Sequence, residues 1–104
     1  MGAEASDRVQ EIRSRVVTER ALISALDGKL PRAPYLRKRL QHAAFLLDDV
    51  ENYLLPSALK AQPAYVAMWI DLAQFNLCTA AQERQKVQEI YDTYGPNILE
   101  IGGE

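Results

Sequence analysis

"YVAMWIDLAQFNLCTAAQ", residues 65–82, is a long stretch of the chain with a single charged side chain, Asp71. On a helical wheel its apolar positions cover roughly two-thirds of the circumference, more than an ordinary amphipathic helix needs. The polar side chains of Asp71, Gln74 and Asn76 argue against a membrane span, because lipid offers them no hydrogen-bonding partners. We therefore expect a helix that is covered on several sides, by its own chain and by a second copy.

The rest of the chain has the composition of one small helical domain. It has 104 residues, of which 48% are apolar and 25% charged, as is typical of a single globular unit, here residues 1–104. Between the glycines and prolines the apolar residues recur with helical spacing. No segment long enough to form a strand alternates between apolar and polar residues. The predicted fold is all-α: an antiparallel three-helix bundle with a long third helix, forming a dimer. The helices are expected at about 7–27, 34–55 and 63–94, followed by an apolar tail at 97–104.

The second predicted helix has the most regular apolar pattern. Its seam has the spacing of a helical bundle or a coiled coil, and comprises Leu36, Leu40, Ala43, Leu47, Val50 and Leu54. We expect this helix to end before Pro56, because residues that precede a proline avoid the helical region. Residues 57–62 are then a linker with room for one short helical turn.

Two charges interrupt otherwise apolar stripes. Glu19 falls within the stripe of the first helix, and Arg84 within that of the third. A buried carboxylate could act as a general acid. It could equally pair with an arginine of a neighbouring helix, and Arg84 is a plausible counter-ion. We favour the ion pair, because burying an unpaired charge is costly.

The wide apolar arc of the third helix predicts a self-association surface. The residues expected to form it are Met68, Trp69, Leu72 and Phe75, together with Phe45 on the second helix. Phe45 is included because it lies among polar residues, away from the seam, where an aromatic side chain often anchors an interface.

His42 is the only histidine, and histidine is the usual acid–base residue near neutral pH. Arg37 precedes it by five positions in "RKRLQH". This Arg-x4-His spacing resembles the signature of HEPN-type helical ribonucleases, which are also small all-helical dimers. The resemblance implies Arg37 and His42 as catalytic residues. On a straight helix these two side chains point about 140° apart, so they would have to meet across a dimer interface.

Five cations fall close together around the start of the second helix: Lys29, Arg32, Arg37, Lys38 and Arg39. Cations at a helix start oppose the helix dipole, so the cluster predicts an anion nearby. A nucleic-acid backbone is one candidate, and an acidic protein surface is another. The formal net charge of −2 favours the protein surface, since nucleic-acid-binding domains are usually basic.

No catalytic or metal-binding pattern is complete. One cysteine and one histidine cannot form the usual zinc site, and we expect no metal and no cofactor. The chain does not open with a secretory leader pattern, which predicts a cytoplasmic protein. We therefore expect a non-enzymatic protein–protein interaction module: an adaptor, assembly factor or small regulatory subunit acting as a homodimer. The alternatives are a HEPN-like ribonuclease and a binder of nucleic-acid backbone.

Overall fold

The computed structural model describes residues 2–30 and 33–95, and every regular element in this part of the chain is helical. The elements are α1 (Ala3–Asp27), α2 (Pro34–Asp49), a π-helical turn (Val50–Leu54), α3 (Leu55–Lys60) and α4 (Pro63–Tyr94). The predicted tail at 97–104 and Arg32 lie outside the described residues.

The helices run up, down and up, so that α4 is parallel to α1 and antiparallel to α2. Two contacts in each pair of helices fix this order. From Arg8 to Glu19, α1 meets α4 first at Asp71 and then at Arg84. From Arg39 to Asp49, α2 meets α4 first at Glu83 and then at Asn76. The bundle is elongated, with extents of 51 × 18 × 16 Å. The predicted all-α, antiparallel three-helix bundle with a long last helix is therefore confirmed.

The core forms where the three apolar stripes meet. All six residues of the α2 seam are buried, as are Ile70, Ala73, Leu77 and Ala80 of α4. Several of the residues at which helices approach are alanines, which allow the helix backbones to come close together. The core occupies one face of α4, and large apolar side chains on another face of this helix stay exposed.

The sequence predicts that the second helix ends before Pro56, but in the structure the helical path continues past this proline. The chain passes through the π-helical turn and continues as α3 to Lys60. In a regular α-helix the ring of Pro56 would clash with the carbonyl four residues earlier, and the proline has no N–H to donate. The π-helical turn just before it widens the backbone, and the Leu55 N–H donates to the Val50 carbonyl, five residues back. Pro56 then lies in the first turn of α3, where a proline is tolerated.

The first helix begins at Ala3, four residues before the predicted start. The Ser6 N–H donates to the Gly2 carbonyl at 3.0 Å and closes an additional turn. The predicted start rested on Ser6 and Asp7, whose short polar side chains can cap a helix. Nothing in residues 3–6 breaks a helix, so both residues lie within α1 instead.

Candidate interaction surface on the last helix

Helix α4 carries a row of large apolar side chains that the rest of the chain leaves uncovered. We call it the outer stripe: Tyr65, Met68, Leu72 and Phe75, exposed by 55%, 45%, 42% and 68%. Their spacing of three, four and three residues places them on one face of the helix. The fully buried residues Ile70 and Ala73 lie between them in sequence and face the core. Helix α4 is therefore apolar on two different faces, and its own bundle covers only one of them.

The outer stripe carries no formal charge. The one charged residue between positions 65 and 82, Asp71, accepts a hydrogen bond from the Arg8 guanidinium of α1 at 2.7 Å. This ion pair ties the carboxylate to the flank of the helix that faces α1. An apolar partner can therefore approach the stripe without burying an unpaired charge.

Trp69 borders the outer stripe and is half-buried. Its ring packs in a T-shaped arrangement with that of Tyr53, with ring centroids 5.8 Å apart and planes at 88°. Tyr53 belongs to the π-helical turn and is 56% exposed. Trp69 thus uses much of its ring within its own chain, and Tyr53 extends the apolar surface beside the stripe.

The interaction surface predicted from the sequence did not include Tyr65 or Tyr53. Tyr65 continues the spacing of Met68, Leu72 and Phe75 by one more step towards the start of α4, and this spacing is the signal that could have identified it. Tyr53 depends on the π-helical turn, which no periodicity in the sequence indicated.

Phe45 was predicted to belong to the same surface. It is 64% exposed and lies on the side of α2 opposite the buried seam. None of the contacts among the described residues joins Phe45 to the outer stripe. The structure therefore places Phe45 on α2 as a separate exposed aromatic side chain.

Two arginines of the predicted basic cluster have acidic partners within the chain. Arg37 donates to Asp27 at 3.2 Å, and Arg39 donates to Glu83 at 2.8 Å. The Lys29 ammonium lies 5.7 Å from the centre of the Tyr91 ring. Lys38 is exposed. Arg37 and Arg39 therefore have their acidic partners on neighbouring helices of the same molecule.

The structure does not bring Arg37 and His42 together. Helix α2 is regular through both positions, so no bend turns one side chain towards the other. Arg37 reaches back to Asp27 of α1, and His42 is exposed on another face. The arrangement within one chain is therefore not that of an acid–base pair.

The structure pairs Glu19 with Arg84. The Arg84 guanidinium donates to both carboxylate oxygens of Glu19, at 2.7 and 3.1 Å. The Glu19 side chain is only 11% exposed, and the Arg84 side chain only 14%. With both carboxylate oxygens occupied, Glu19 holds α1 against α4 and is not left available as a general acid.

Arg20 joins α1 to the end of α2 and to the π-helical turn through two carboxylates. It donates to Asp48 and to Glu51, each at 2.7 Å. Partial burial lowers the pKa of the Arg20 guanidinium, but its hydrogen bonds and attraction to these two carboxylates outweigh that effect and raise the pKa. The group therefore stays charged, as a structural link between helices.

A cavity of about 570 Å³ opens where the start of α1 meets the connection between α3 and α4. Its wall is formed largely by small or apolar side chains such as Ala5, Leu59 and Val66, with Glu4 and Arg8 as its charged residues. Arg8 is already engaged by Asp71. The cavity has the size of a ligand pocket but lacks the convergent polar groups that would orient a ligand.

No family model, curated protein or solved structure matches the chain. Across residues 2–30 and 33–95, no helix combines the length and apolar character that a membrane crossing requires. The same residues contain no group of three histidine, cysteine or acidic side chains placed to hold a metal ion.

Proposed function

We propose that this chain is a non-enzymatic protein–protein interaction module that acts as a homodimer through the outer stripe of α4. Such a unit serves as an adaptor, an assembly factor or a small regulatory subunit. The observation that carries the proposal is the row of four large apolar side chains, each 42–68% exposed, on a face of α4 that is turned away from the core. Exposed apolar surface of this kind, bordered by polar residues, is typical of interaction sites.

A second copy of the chain is the partner that suits this surface. Two-fold dimers use the same patch on both subunits, so the patch must be compatible with itself. The outer stripe meets this condition because it is apolar along its length and Asp71, the nearest charge, is neutralised by Arg8 of the same chain. An acidic or basic partner would gain no charge complementarity from it.

The available area supports a weak dimer. Four such side chains at about half exposure offer on the order of 400 Å² of apolar surface, about half of what each partner contributes to a standard interface. Tyr53 adds to this surface beside Trp69. We therefore expect a dissociation constant in the micromolar range or above, with monomer and dimer in exchange.

Neither alternative function gains a supporting contact. A ribonuclease site needs Arg37 and His42 to converge, and Arg37 is held by Asp27. A phosphate-binding surface needs cations that are free to bind phosphate, and both Arg37 and Arg39 already bind carboxylates.

The proposal is tested by placing a charge on the outer stripe. Leu72→Glu is matched by Leu22→Glu on α1, because both leucines are 42% exposed. We expect Leu72→Glu to raise the dimer dissociation constant at least about 30-fold, because a carboxylate loses its hydration in the contact and the apolar contact is lost. Leu22→Glu should leave the constant unchanged. Sedimentation equilibrium from about 1 to about 500 µM brackets the expected range and measures both.

A wild-type protein that stays monomeric up to the highest concentration contradicts the proposal. So does a dimer that both substitutions weaken equally, since the contact would then not be specific to α4. Circular dichroism of each variant verifies that the helical fold is retained.

A further inference from the structure

We infer that the two copies of α4 pack antiparallel, centred at the level of residue 70. This inference rests on the proposed homodimer and specifies its geometry. The outer stripe begins at Tyr65 and ends at Phe75, so its midpoint falls at residue 70. Rotating one copy about a two-fold axis at that level places Tyr65 against Phe75 of the partner subunit, and Met68 against Leu72 of the partner subunit. Every large side chain of the stripe then meets another of the same row.

The opposite, parallel arrangement is disfavoured by the continuation of the stripe. The same spacing continues beyond Phe75 through Thr79 and Gln82 to Lys86, so this face of α4 becomes polar and then charged. Lys86 is exposed. A parallel two-fold dimer aligns each residue with its own copy and brings Lys86 against Lys86 of the partner subunit. Like charges at such a contact repel each other, so the charge pattern opposes this arrangement.

The antiparallel arrangement leaves the charged half of α4 outside the contact. With the centre at residue 70, the start of α4 at Pro63 lies opposite position 77 of the other copy. The overlap therefore spans about 15 residues, or roughly 20 Å along the helix axis. Lys86 and Glu89 lie beyond it, in water. The apolar half of each helix thus covers the apolar half of the other.

A distance measurement separates the two orientations. Gln85 is exposed and lies outside the predicted overlap, so Gln85→Cys in a Cys78→Ala background accepts one spin label per chain. Two labels lying 15 residues from the centre in opposite directions are about 45 Å apart in the antiparallel dimer, at 1.5 Å per residue. In the parallel dimer they lie side by side, within about 25 Å. Double electron–electron resonance on the dimer should give the longer distance.

The outcomes distinguish this inference from the proposed function. A dimer that Leu72→Glu dissociates but that gives the short distance overturns the antiparallel geometry and leaves the interaction surface in place. An unlabelled protein that never dimerises overturns both. A dimer with the long distance that Leu72→Glu does not weaken also overturns both, because its contact lies elsewhere.

Lys86→Gln provides a second test in the native background. We expect it to change the dimer dissociation constant less than two-fold, because Lys86 lies outside the antiparallel contact. If it tightens the dimer several-fold, a parallel contact has lost a repulsion and the antiparallel geometry is wrong. Sedimentation equilibrium at low salt makes the comparison sensitive, since added salt screens such charges.

Discussion

Glu19 and Arg84 are the residues that most constrain how α1 and α4 fit together. Both interrupt apolar stripes, and the sequence alone shows these interruptions. Their pairing could be anticipated because a buried charge requires a partner and no other arginine interrupts the stripe of the last helix. The two-pronged geometry, with both carboxylate oxygens accepting, could not be predicted, because it depends on the register between helices 65 residues apart in the chain.

Removing one partner of this pair should be costly. Glu19→Gln leaves the Arg84 guanidinium largely buried without its counter-charge, and we expect the free energy of unfolding to fall by about 2–3 kcal/mol. Urea denaturation followed by circular dichroism measures the change. Asp71→Asn, which breaks the exposed pair with Arg8, should cost less than about 1 kcal/mol and serves as the control. Equal losses in the two variants would contradict a special role for the buried pair.

At the scale of the elements, periodicity identified the helices and the buried seams but not their continuity across Pro56. The seam of α2 depends on local spacing, which a sequence displays directly. The π-helical turn depends on how the backbone accommodates a proline ring, and local spacing does not reveal that choice. The predicted start of α1 lies too late in the chain, because a polar residue that is suited to capping can also lie inside a helix.

The alanines of α4 set how closely it approaches its neighbours. Ala73 has no exposed surface, whereas Ala67 on the same helix is exposed. Ala73→Leu should lower the free energy of unfolding by about 2–3 kcal/mol, because a larger side chain strains a close-packed core. Ala67→Leu, the matched control, should change it by less than about 0.5 kcal/mol, as expected for a surface position with similar helix propensity. Thermal and urea denaturation of both variants test this, and a neutral Ala73→Leu would show that the helix contact is loosely packed.

At the scale of the whole molecule, an elongated bundle leaves much apolar surface for its size. The sequence predicted the wide apolar arc of the last helix, and the structure shows which part of it the chain itself covers. The sequence could not show that Phe45 stands apart from the outer stripe, or that Arg37 and Arg39 have their acidic partners on neighbouring helices. Both facts depend on how α2 is rotated within the bundle, which only tertiary packing decides.

Association should couple to thermal stability. Because a dimer is favoured by mass action, the melting temperature of the wild-type protein should rise by about 2–4 °C for each tenfold increase in concentration above the dissociation constant. Leu72→Glu should melt at a temperature that does not depend on concentration, whereas Leu22→Glu should behave as the wild type. Differential scanning calorimetry over two decades of concentration measures this, and a flat wild-type profile would contradict self-association.

The widened turn ahead of Pro56 has a consequence for how this chain can change over evolutionary time. Such a turn holds one residue more than the α-helical path it replaces, so a one-residue deletion within Val50–Leu54 would restore an ordinary helix and keep the downstream side chains in phase. Without the wider turn, the Pro56 ring would clash with a carbonyl of the preceding helical turn, which would destabilise the helix by about 3 kcal/mol. The extra residue and Pro56 are therefore epistatic: loss of the extra residue is tolerated only where Pro56 has also been replaced.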